Sequence, residues 1–153
     1  MKEKHCDSMI IYGNYHSNLC RILSTLCHQL EIPCYMIHNT EDISGEHDTN
    51  NSRIIHRMGV YEIRCGKSGI AEAVRTAMDE LTEKGYRPYY IYGNEKGEGN
   101  EHIPMRAYEK AYEELCAWEK ENHTFFDYIF LASSTNATQS GLLAGSLKHQ
   151  DNR

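Results

Sequence analysis

The sequence predicts an α/β fold, a parallel sheet with helices on both faces. In this chain of 153 residues, short apolar runs typical of buried strands alternate strictly with segments whose apolar residues recur at helical spacing. Such alternation requires parallel strands joined by crossover helices, which cover both faces of the sheet. Ligands of such folds bind at the carboxyl ends of the strands, so the loops after the strands are the places to look for function.

Each element of the first half follows from its apolar spacing. A helix is expected from Ser17 to Leu30, capped by Ser17 or Asn18. Gly59 and Gly85 are expected to end the next two helices. The inward face of the first helix is predicted to be Leu19, Ile22, Leu23, Leu26, Cys27 and Leu30. The other elements are strands Met9–Tyr12, Pro33–Ile37 and Val60–Ile63, an exposed loop His38–Asn51, and helices Ser52–Met58 and Ile70–Lys84.

The second half continues the alternation. The expected elements are a strand Pro88–Tyr92, an acidic glycine-rich loop, a helix Pro104–Glu121, a strand Tyr128–Ala132 and a final helical segment. Within 153 residues, two small lobes are possible but two full-sized domains are not. We expect a small lobe over residues 9–84 and an incomplete ligand-binding lobe over residues 85–153.

The loop Ser133–Gln139 has the composition of a phosphate-binding turn. It follows the apolar run that starts at Phe126, consists of small, hydroxylated and amide residues, and opens a helix-like segment with Gly141. Free backbone N–H groups and the positive end of a helix point at such a loop, and small side chains let an anion approach them. The loop therefore predicts a phosphorylated ligand, although an ordinary strand-to-helix connection is the alternative on these residues alone.

Composition narrows the class of protein further. The net charge of −6 and the lack of a basic cluster exclude a general nucleic-acid binder. The polar N-terminal stretch and the absence of a long apolar run predict neither a signal peptide nor a membrane span, and a cytoplasmic protein is expected. Six dispersed cysteines are expected to be free thiols. No metal site is expected, because His16 and Cys20 are the only pair at a suitable spacing.

Two segments together resemble one enzyme family. Residues 13–21 are similar to the G-x-x-Q-S-N-x-x-R loop, and residues 126–141 to the F-D-Y-I-V-V-x-S-x-T-G-S-T-Q-A-G region, of pyridoxal-phosphate enzymes related to 1-aminocyclopropane-1-carboxylate deaminase and D-cysteine desulfhydrase. These enzymes have fold type II, the tryptophan-synthase-β-like fold. The order of strands and helices between the two segments also fits this family.

The resemblance implies a cofactor and a set of site residues. Ser17, as a catalytic residue, and Asn18 correspond to the positions that face pyridoxal 5'-phosphate and bind the amino-acid carboxylate or the ring. Leu19 stands where the family often has a polar residue, and Asn136 replaces a glycine. A helix cap alone is the alternative role for Ser17 and Asn18. The residues implied for cofactor binding are Asn18, Thr135, Asn136, Ala137, Thr138 and Gln139.

The family's Schiff-base lysine has no counterpart in the sequence. In the family it lies in a G-N-K-x-R-K segment that precedes the Ser-Asn loop, whereas here Lys2 and Lys4 are the only lysines before Ser17. We therefore expect a fragment or degenerate relative of an enzyme that converts a small amino acid into ammonia and a keto acid, so whether the chain is an enzyme stays open. The alternative is a non-catalytic phosphate-ligand-binding subunit or pseudoenzyme. A homo-oligomer or a partner chain that completes the fold is expected.

Overall fold

The structure, a computed structural model, describes residues 5–39, 49–133 and 135–152. The chain forms two compact units, residues 1–98 and residues 99–153. The lobe assignment over residues 9–84 and 85–153 refers to an assembled enzyme and stays a prediction. In the described residues, no helix is long and apolar enough to cross a lipid bilayer.

Unit 1 contains a four-stranded sheet in which every neighbouring pair is parallel, as predicted. The strand order is β3-β2-β1-β4. Strands β2 and β3 therefore lie on one side of β1, and β4 lies on the other side. The order therefore reverses between β1 and β4, and in open α/β sheets ligands bind at the carboxyl ends of such a pair. The strands are β1 (Ser8–Gly13), β2 (Cys34–Asn39), β3 (Tyr61–Cys65) and β4 (Pro88–Tyr90).

Helices cover both faces of this sheet, which confirms the predicted architecture. Ile10 of β1 lies in the cluster with α3, whereas its neighbour Ile11 lies in the cluster with α1 and α2. Strand side chains alternate between faces, so consecutive apolar residues supply both cores. The helices are α1 (Asn18–Gln29), α2 (Asn50–Arg57) and α3 (Ile70–Glu83), with a 3-10 turn at Lys67–Gly69.

The predicted inward face of α1 is wrong for its large side chains. Its buried residues are Cys20, Ser24 and Cys27, whereas Leu19, Ile22, Leu26 and Leu30 are exposed. Close approach to the sheet explains this choice, because a Cβ added at Gly13 of β1 would lie 2.6 Å from the Sγ of Cys20. Only small side chains fit at that separation, so the large apolar residues lie on the neighbouring surface of the helix.

The segment between β2 and α2 is more ordered than the predicted loop. Strand β2 extends through His38 to Asn39, and α2 begins at Asn50 after a reciprocal capping box between Thr49 and Ser52. Residues 40–48 of the predicted loop lie outside the described residues. The predicted helix ends are confirmed, since Gly59 and Gly85 follow α2 and α3 with φ of 70° and 86°.

Unit 2 consists of two helices, α4 (His102–Glu121) and α5 (Ala137–Lys148). They approach closely at two glycines of α5, because a Cβ at Gly141 or Gly145 would lie 2.4 Å or 2.5 Å from the Cβ of Tyr108 or Tyr112. The predicted strand Tyr128–Ala132 is not formed. Among the described residues this segment pairs with no strand, and Tyr128 and Phe130 are 77% and 92% exposed.

Candidate functional site

The loop Gly13–Asn18 joins β1 to α1 and lies at the carboxyl end of the strand beside which the sheet order reverses. We call it the β1–α1 loop. Ser17 caps α1, because its Oγ accepts the Cys20 N–H at 3.1 Å. Asn14 turns the chain, because its Oδ1 accepts the His16 N–H at 3.0 Å. The loop therefore places Ser17 and Asn18 at the end of the sheet where ligands of α/β folds bind.

The side chain of Tyr15 connects this loop to β2, α2 and β3. Its side chain is only 3% exposed, and its hydroxyl donates to Glu62 Oε2 at 2.6 Å and accepts from Arg64 at 3.0 Å. The ring lies 4.1 Å from the ring of His38 and 5.2 Å from that of His56. Burial, together with the hydrogen bond to Glu62 and the charge of Glu62, raises the pKa of Tyr15 above its usual value. The phenol is therefore held neutral, as a donor.

The start of α2 holds the backbone of the same loop. Thr49 Oγ1 donates to the Tyr15 carbonyl oxygen at 2.7 Å, and the same oxygen atom caps α2 by accepting the Ser52 N–H at 3.0 Å. Asn51 Nδ2 donates to the His16 carbonyl oxygen at 2.8 Å and to Asn18 Oδ1 at 3.1 Å. Three elements, β2, α2 and β3, therefore fix the β1–α1 loop.

Asn18 keeps donors for a ligand, whereas Ser17 is hydrogen-bonded to Cys20. Ser17 is half-buried and Asn18 is exposed. The Ser17 Oγ serves as an acceptor for the helix cap, and the Asn18 Oδ1 serves as an acceptor for Asn51. The Ser17 hydroxyl also hydrogen-bonds the Cys20 side chain, which lowers the pKa of that thiol against the larger effect of its burial. The Asn18 N–H groups have no acceptor among the described residues. This part of the site is suited to an oxygen acceptor such as a carboxylate.

A cluster of tyrosines lies beside the β1–α1 loop. Tyr12 is the second-last residue of β1, Tyr90 is the last residue of β4 and Tyr92 lies two positions after it. The ring centroids are 6.4 Å apart for Tyr12 and Tyr92 and 5.6 Å apart for Tyr90 and Tyr92. Burial raises the pKa of Tyr90 and of Tyr92. These phenols stay neutral and line the end of the sheet where its strand order reverses.

The loop Ser133–Gln139, which we call the α5 entry loop, lies in unit 2. Asn136 precedes α5 in the left-handed conformation, with φ of 64°, and its side chain makes no capping hydrogen bond to the helix. Instead, its Oδ1 accepts from Ser133 Oγ at 3.1 Å. Asparagine tolerates the left-handed conformation better than most other residues with a side chain, which explains why it can replace the glycine that the resemblance implies at this position.

The beginning of α5 fits an anion. The first amides of a helix have no acceptor within it, and here neither a side-chain cap nor an acidic residue of the first turn approaches them. Ala137 and Thr138 are half-buried, and Thr135 and Gln139 are exposed. Ser134 lies outside the described residues. The residues that are predicted to bind a phosphate therefore lie next to one another, at the start of a helix that no side chain caps.

Most of the chain is similar in sequence to named enzymes. It is 25% identical over 150 residues to 1-aminocyclopropane-1-carboxylate deaminase of Mesorhizobium japonicum and 24% identical to that of Methylobacterium nodulans, with 93% of the chain covered in each case. It spans 43% of the length of both relatives. No family model matches the chain.

Solved structures show the same fold. A 1-aminocyclopropane-1-carboxylate deaminase homologue matches 99% of this chain with a TM-score of 0.72 and 21% identity, over 45% of that structure's chain. Diaminopropionate ammonia lyase of Escherichia coli matches 94% of this chain with a TM-score of 0.61 and 16% identity, over 39% of that chain. The sequence relatives and these neighbours agree with the two motifs. The chain therefore has the fold of the fold-type-II, tryptophan-synthase-β-like enzymes, and its sequence relatives support the resemblance to that family.

The predicted site residues lie in two separate loops of this fold. Unit 1 brings Ser17 and Asn18 together, and unit 2 brings Thr135, Asn136 and Gln139 together with the start of α5. The two sets belong to different units, and their joint contribution to one site stays a prediction.

The residues that hold the β1–α1 loop were not predicted from the sequence. Thr49 lies in a capping box, which its spacing from Ser52 indicates in retrospect. Asn51, Tyr15 and Glu62 carried no signal in the sequence, because their contacts join segments far apart in the chain.

Proposed function

We propose that this chain is part of a pyridoxal-phosphate-dependent lyase of the deaminase or desulfhydrase kind, acting on a small amino acid to give ammonia and a keto acid. Its sequence relatives are named as deaminases of 1-aminocyclopropane-1-carboxylate. The chain spans less than half of their length, so the activity, the substrate and the partners belong to this proposal. We further propose that the D-cysteine desulfhydrases are close relatives.

The observation that carries the proposal is the start of α5. Asn136 takes the left-handed conformation without capping the helix, and small side chains follow it. We propose that Thr135, Asn136, Ala137, Thr138 and Gln139 hold the cofactor phosphate through hydroxyl, amide and backbone N–H groups. When bound, pyridoxal phosphate supplies an electron-withdrawing ring that favours bond cleavage at the substrate α-carbon.

Ser17 and Asn18 have complementary roles in this proposal. The Asn18 N–H groups donate to an oxygen of the amino-acid carboxylate or of the cofactor ring. The Ser17 hydroxyl turns from the Cys20 side chain to the substrate carboxylate while its oxygen keeps α1 capped. Both residues thereby orient the amino acid without any change in the fold of the loop.

Comparison of two ligands tests the phosphate site. Pyridoxal lacks only the phosphate, so pyridoxal phosphate is expected to bind more tightly by roughly 10-fold or more, since hydrogen bonds to a charged group contribute about 1.5–3 kcal/mol. Ala137→Asp places a carboxylate at the first position of α5, where it suits the helix dipole but repels a phosphate. We expect this variant to fold and to lose the preference for pyridoxal phosphate. Calorimetry measures both affinities.

Leu143→Asp is the matched control, because Leu143 lies exposed on the same helix and the substitution adds the same charge. It is expected to keep the preference. Equal affinity for pyridoxal and pyridoxal phosphate in the unaltered chain would contradict the proposal.

Borohydride reduction followed by peptide mapping tests the missing lysine. A single lysine captured stoichiometrically would be the Schiff-base residue, and Lys2 or Lys4 would then refute its expected loss. Lys96 is a further possible site, because its loop follows β4 at the same end of the sheet as Ser17. Weak capture spread over many lysines would favour a chain that binds the cofactor without turnover.

A second function, a non-catalytic binding subunit that pairs with a partner chain, is favoured by the exposed segment of unit 2. Tyr128 and Phe130 are aromatic and exposed, which is typical of a surface that another polypeptide covers. Neighbouring genes distinguish the two functions. Open frames that encode a G-N-K segment and a matching C-terminal part would indicate a split enzyme, whose parts should form a stable complex when expressed together.

A further inference from the structure

One side chain of α2 contacts both the backbone and a side chain of the β1–α1 loop. Asn51 Nδ2 donates to the His16 carbonyl oxygen at 2.8 Å and to Asn18 Oδ1 at 3.1 Å. The Asn51 side chain is thus shared between two acceptors that belong to residues on either side of Ser17. No other described hydrogen bond to the Asn18 side chain is present, so Asn51 alone controls how that carboxamide is turned.

The chemistry of these three groups fixes the direction of each carboxamide. A backbone carbonyl oxygen only accepts hydrogen bonds, so the Asn51 atom that faces His16 has to be the nitrogen. That same nitrogen also faces Asn18, and it has no acceptor capacity. Asn18 therefore has to present its oxygen to Asn51, and its N–H groups have to point elsewhere.

This direction matters for what the loop recognises. With the oxygen of Asn18 engaged by Asn51, only the two N–H donors of Asn18 are available to a ligand. A carboxamide turned the other way would offer an oxygen and would repel a carboxylate or a phenolate. The contact with α2 thus decides whether the loop attracts or repels anionic oxygen.

We propose that Asn51 is a positioning residue that sets the polarity of the Asn18 carboxamide, so that the loop accepts an anionic oxygen acceptor. The acceptor is the carboxylate of an amino acid or the ring oxygen of pyridoxal phosphate. This inference rests on the proposed function for the identity of the ligand, but the orientation of Asn18 is independent of any ligand.

The orientation is tested without ligand, by Asn51→Asp. Both oxygens of an aspartate accept, so Asn18 is expected to turn and donate an N–H to Asp at position 51. NMR of the side-chain amide is then expected to show slower exchange of the Asn18 N–H protons with water than in the unaltered chain, in which Asn18 is exposed and its oxygen, not its nitrogen, contacts Asn51. Asn50→Asp is the matched control, because Asn50 is the exposed neighbour on the same helix and gains the same charge. It is expected to leave Asn18 exchange unchanged.

Affinity is tested in two arms, with 1-aminocyclopropane-1-carboxylate alone and with pyridoxal phosphate alone. Loss of a hydrogen bond to a charged group predicts a roughly 10- to 100-fold weaker affinity in Asn51→Asp for the ligand whose oxygen Asn18 binds. Asn51→Ala leaves Asn18 free to turn without adding charge, so a smaller loss, about 3- to 10-fold, is expected. The arm that loses affinity identifies the acceptor.

The results separate this inference from the proposed function. Slow Asn18 exchange in Asn51→Asp with no binding of either ligand to any variant supports the polarity and rejects the function. Unchanged Asn18 exchange overturns the inference, and so does equal weakening by Asn50→Asp and Asn51→Asp. If Asn51→Asp fails to fold, as judged by circular dichroism, Asn51→Ala decides, and unchanged affinity there for a ligand that binds the unaltered chain overturns it.

Discussion

The two loops of the candidate site are stabilised in different ways. The β1–α1 loop is held by contacts with three other elements, and the principal hydrogen bonds join its own Tyr15 to Glu62 and its backbone to Thr49 and Asn51. The α5 entry loop is held locally, by the left-handed Asn136 and by contacts of Ser133 within the loop. The first loop is therefore coupled to the fold of unit 1, whereas the second depends on its own backbone and on the placement of α5.

This difference implies different sensitivities. A loop that is fixed by long-range contacts loses its geometry when distant side chains change. A loop that is fixed by one backbone conformation responds to the residue at that position and to the packing of the helix it opens. Three substitutions, in order of decreasing expected effect, test whether the two loops respond in these two ways.

Gly145→Ala is expected to have the largest effect. A methyl group at this position would lie 2.5 Å from the Cβ of Tyr112, a side chain that is only 1% exposed. The clash with a rigid atom near the backbone forces α5 away from α4, and overpacking of this kind costs about 1–3 kcal/mol. Thermal unfolding is expected to shift accordingly, and hydrogen exchange to increase in unit 2 while the sheet of unit 1 stays protected.

Leu143→Ala on the exposed side of α5 is the control and is expected to change stability little. An equal loss of protection in the sheet would show that the stabilities of the two units are coupled. It would contradict the expectation that the α5 entry loop depends only on its own backbone and on the placement of α5.

Tyr15→Phe is expected to have the next largest effect, in the other loop. The ring keeps its packing on His38 and His56, but Glu62 loses a buried donor at 2.6 Å. A lost buried hydrogen bond of this kind costs about 1–2 kcal/mol. Hydrogen exchange of residues 13–19 is expected to increase, and denaturant unfolding measures the loss of stability.

A double-mutant cycle with Glu62→Gln separates this bond from general packing. The two changes are expected to be less than additive, because both remove the same interaction. Tyr61→Phe, an exposed tyrosine of the same strand as Glu62, is the control. Additive effects would mean that Tyr15 stabilises the loop by packing alone.

The sequence predicted the sheet, most of the helices and both loops, but not which surface of α1 is buried. By helical geometry the stripe of Leu19, Ile22 and Leu26 lies about 100° from the stripe of Cys20 and Cys27. Periodicity identifies the helix from either stripe, and on hydrophobicity alone the stripe of larger side chains is predicted to be the buried one. Only the separation of α1 from Gly13 selects the smaller ones, and that distance is a property of the assembled fold.

For the predicted strand Tyr128–Ala132, the prediction of the element itself was wrong. Its composition is typical of a buried strand, yet a strand is formed only when a neighbour supplies its hydrogen bonds. Similarly, the capping box at Thr49 follows from local sequence, whereas the contact of Asn51 with Asn18 joins residues that are 33 positions apart. Local signals were sufficient for the helices and the four paired strands, but the missing fifth strand and the contacts that orient the site residues required the structure.

Asn136→Ala tests the α5 entry loop and is expected to have the smallest effect of the three. An alanine at φ of 64° costs about 1–2 kcal/mol relative to a residue that tolerates the left-handed region, and part of that cost is avoided if the loop relaxes. Asn136→Gly keeps the conformation accessible and is expected to be neutral in stability. The pair therefore separates the backbone requirement from the side-chain contact with Ser133.

The decisive measurement for this pair is affinity for pyridoxal phosphate, with pyridoxal as reference. If local backbone geometry creates the phosphate site, Asn136→Gly retains the preference for the phosphorylated ligand and Asn136→Ala reduces it. If both variants lose the preference equally, the Asn136 carboxamide itself contacts the phosphate. The α5 entry loop would then resemble the β1–α1 loop, in which side-chain amides determine what is bound.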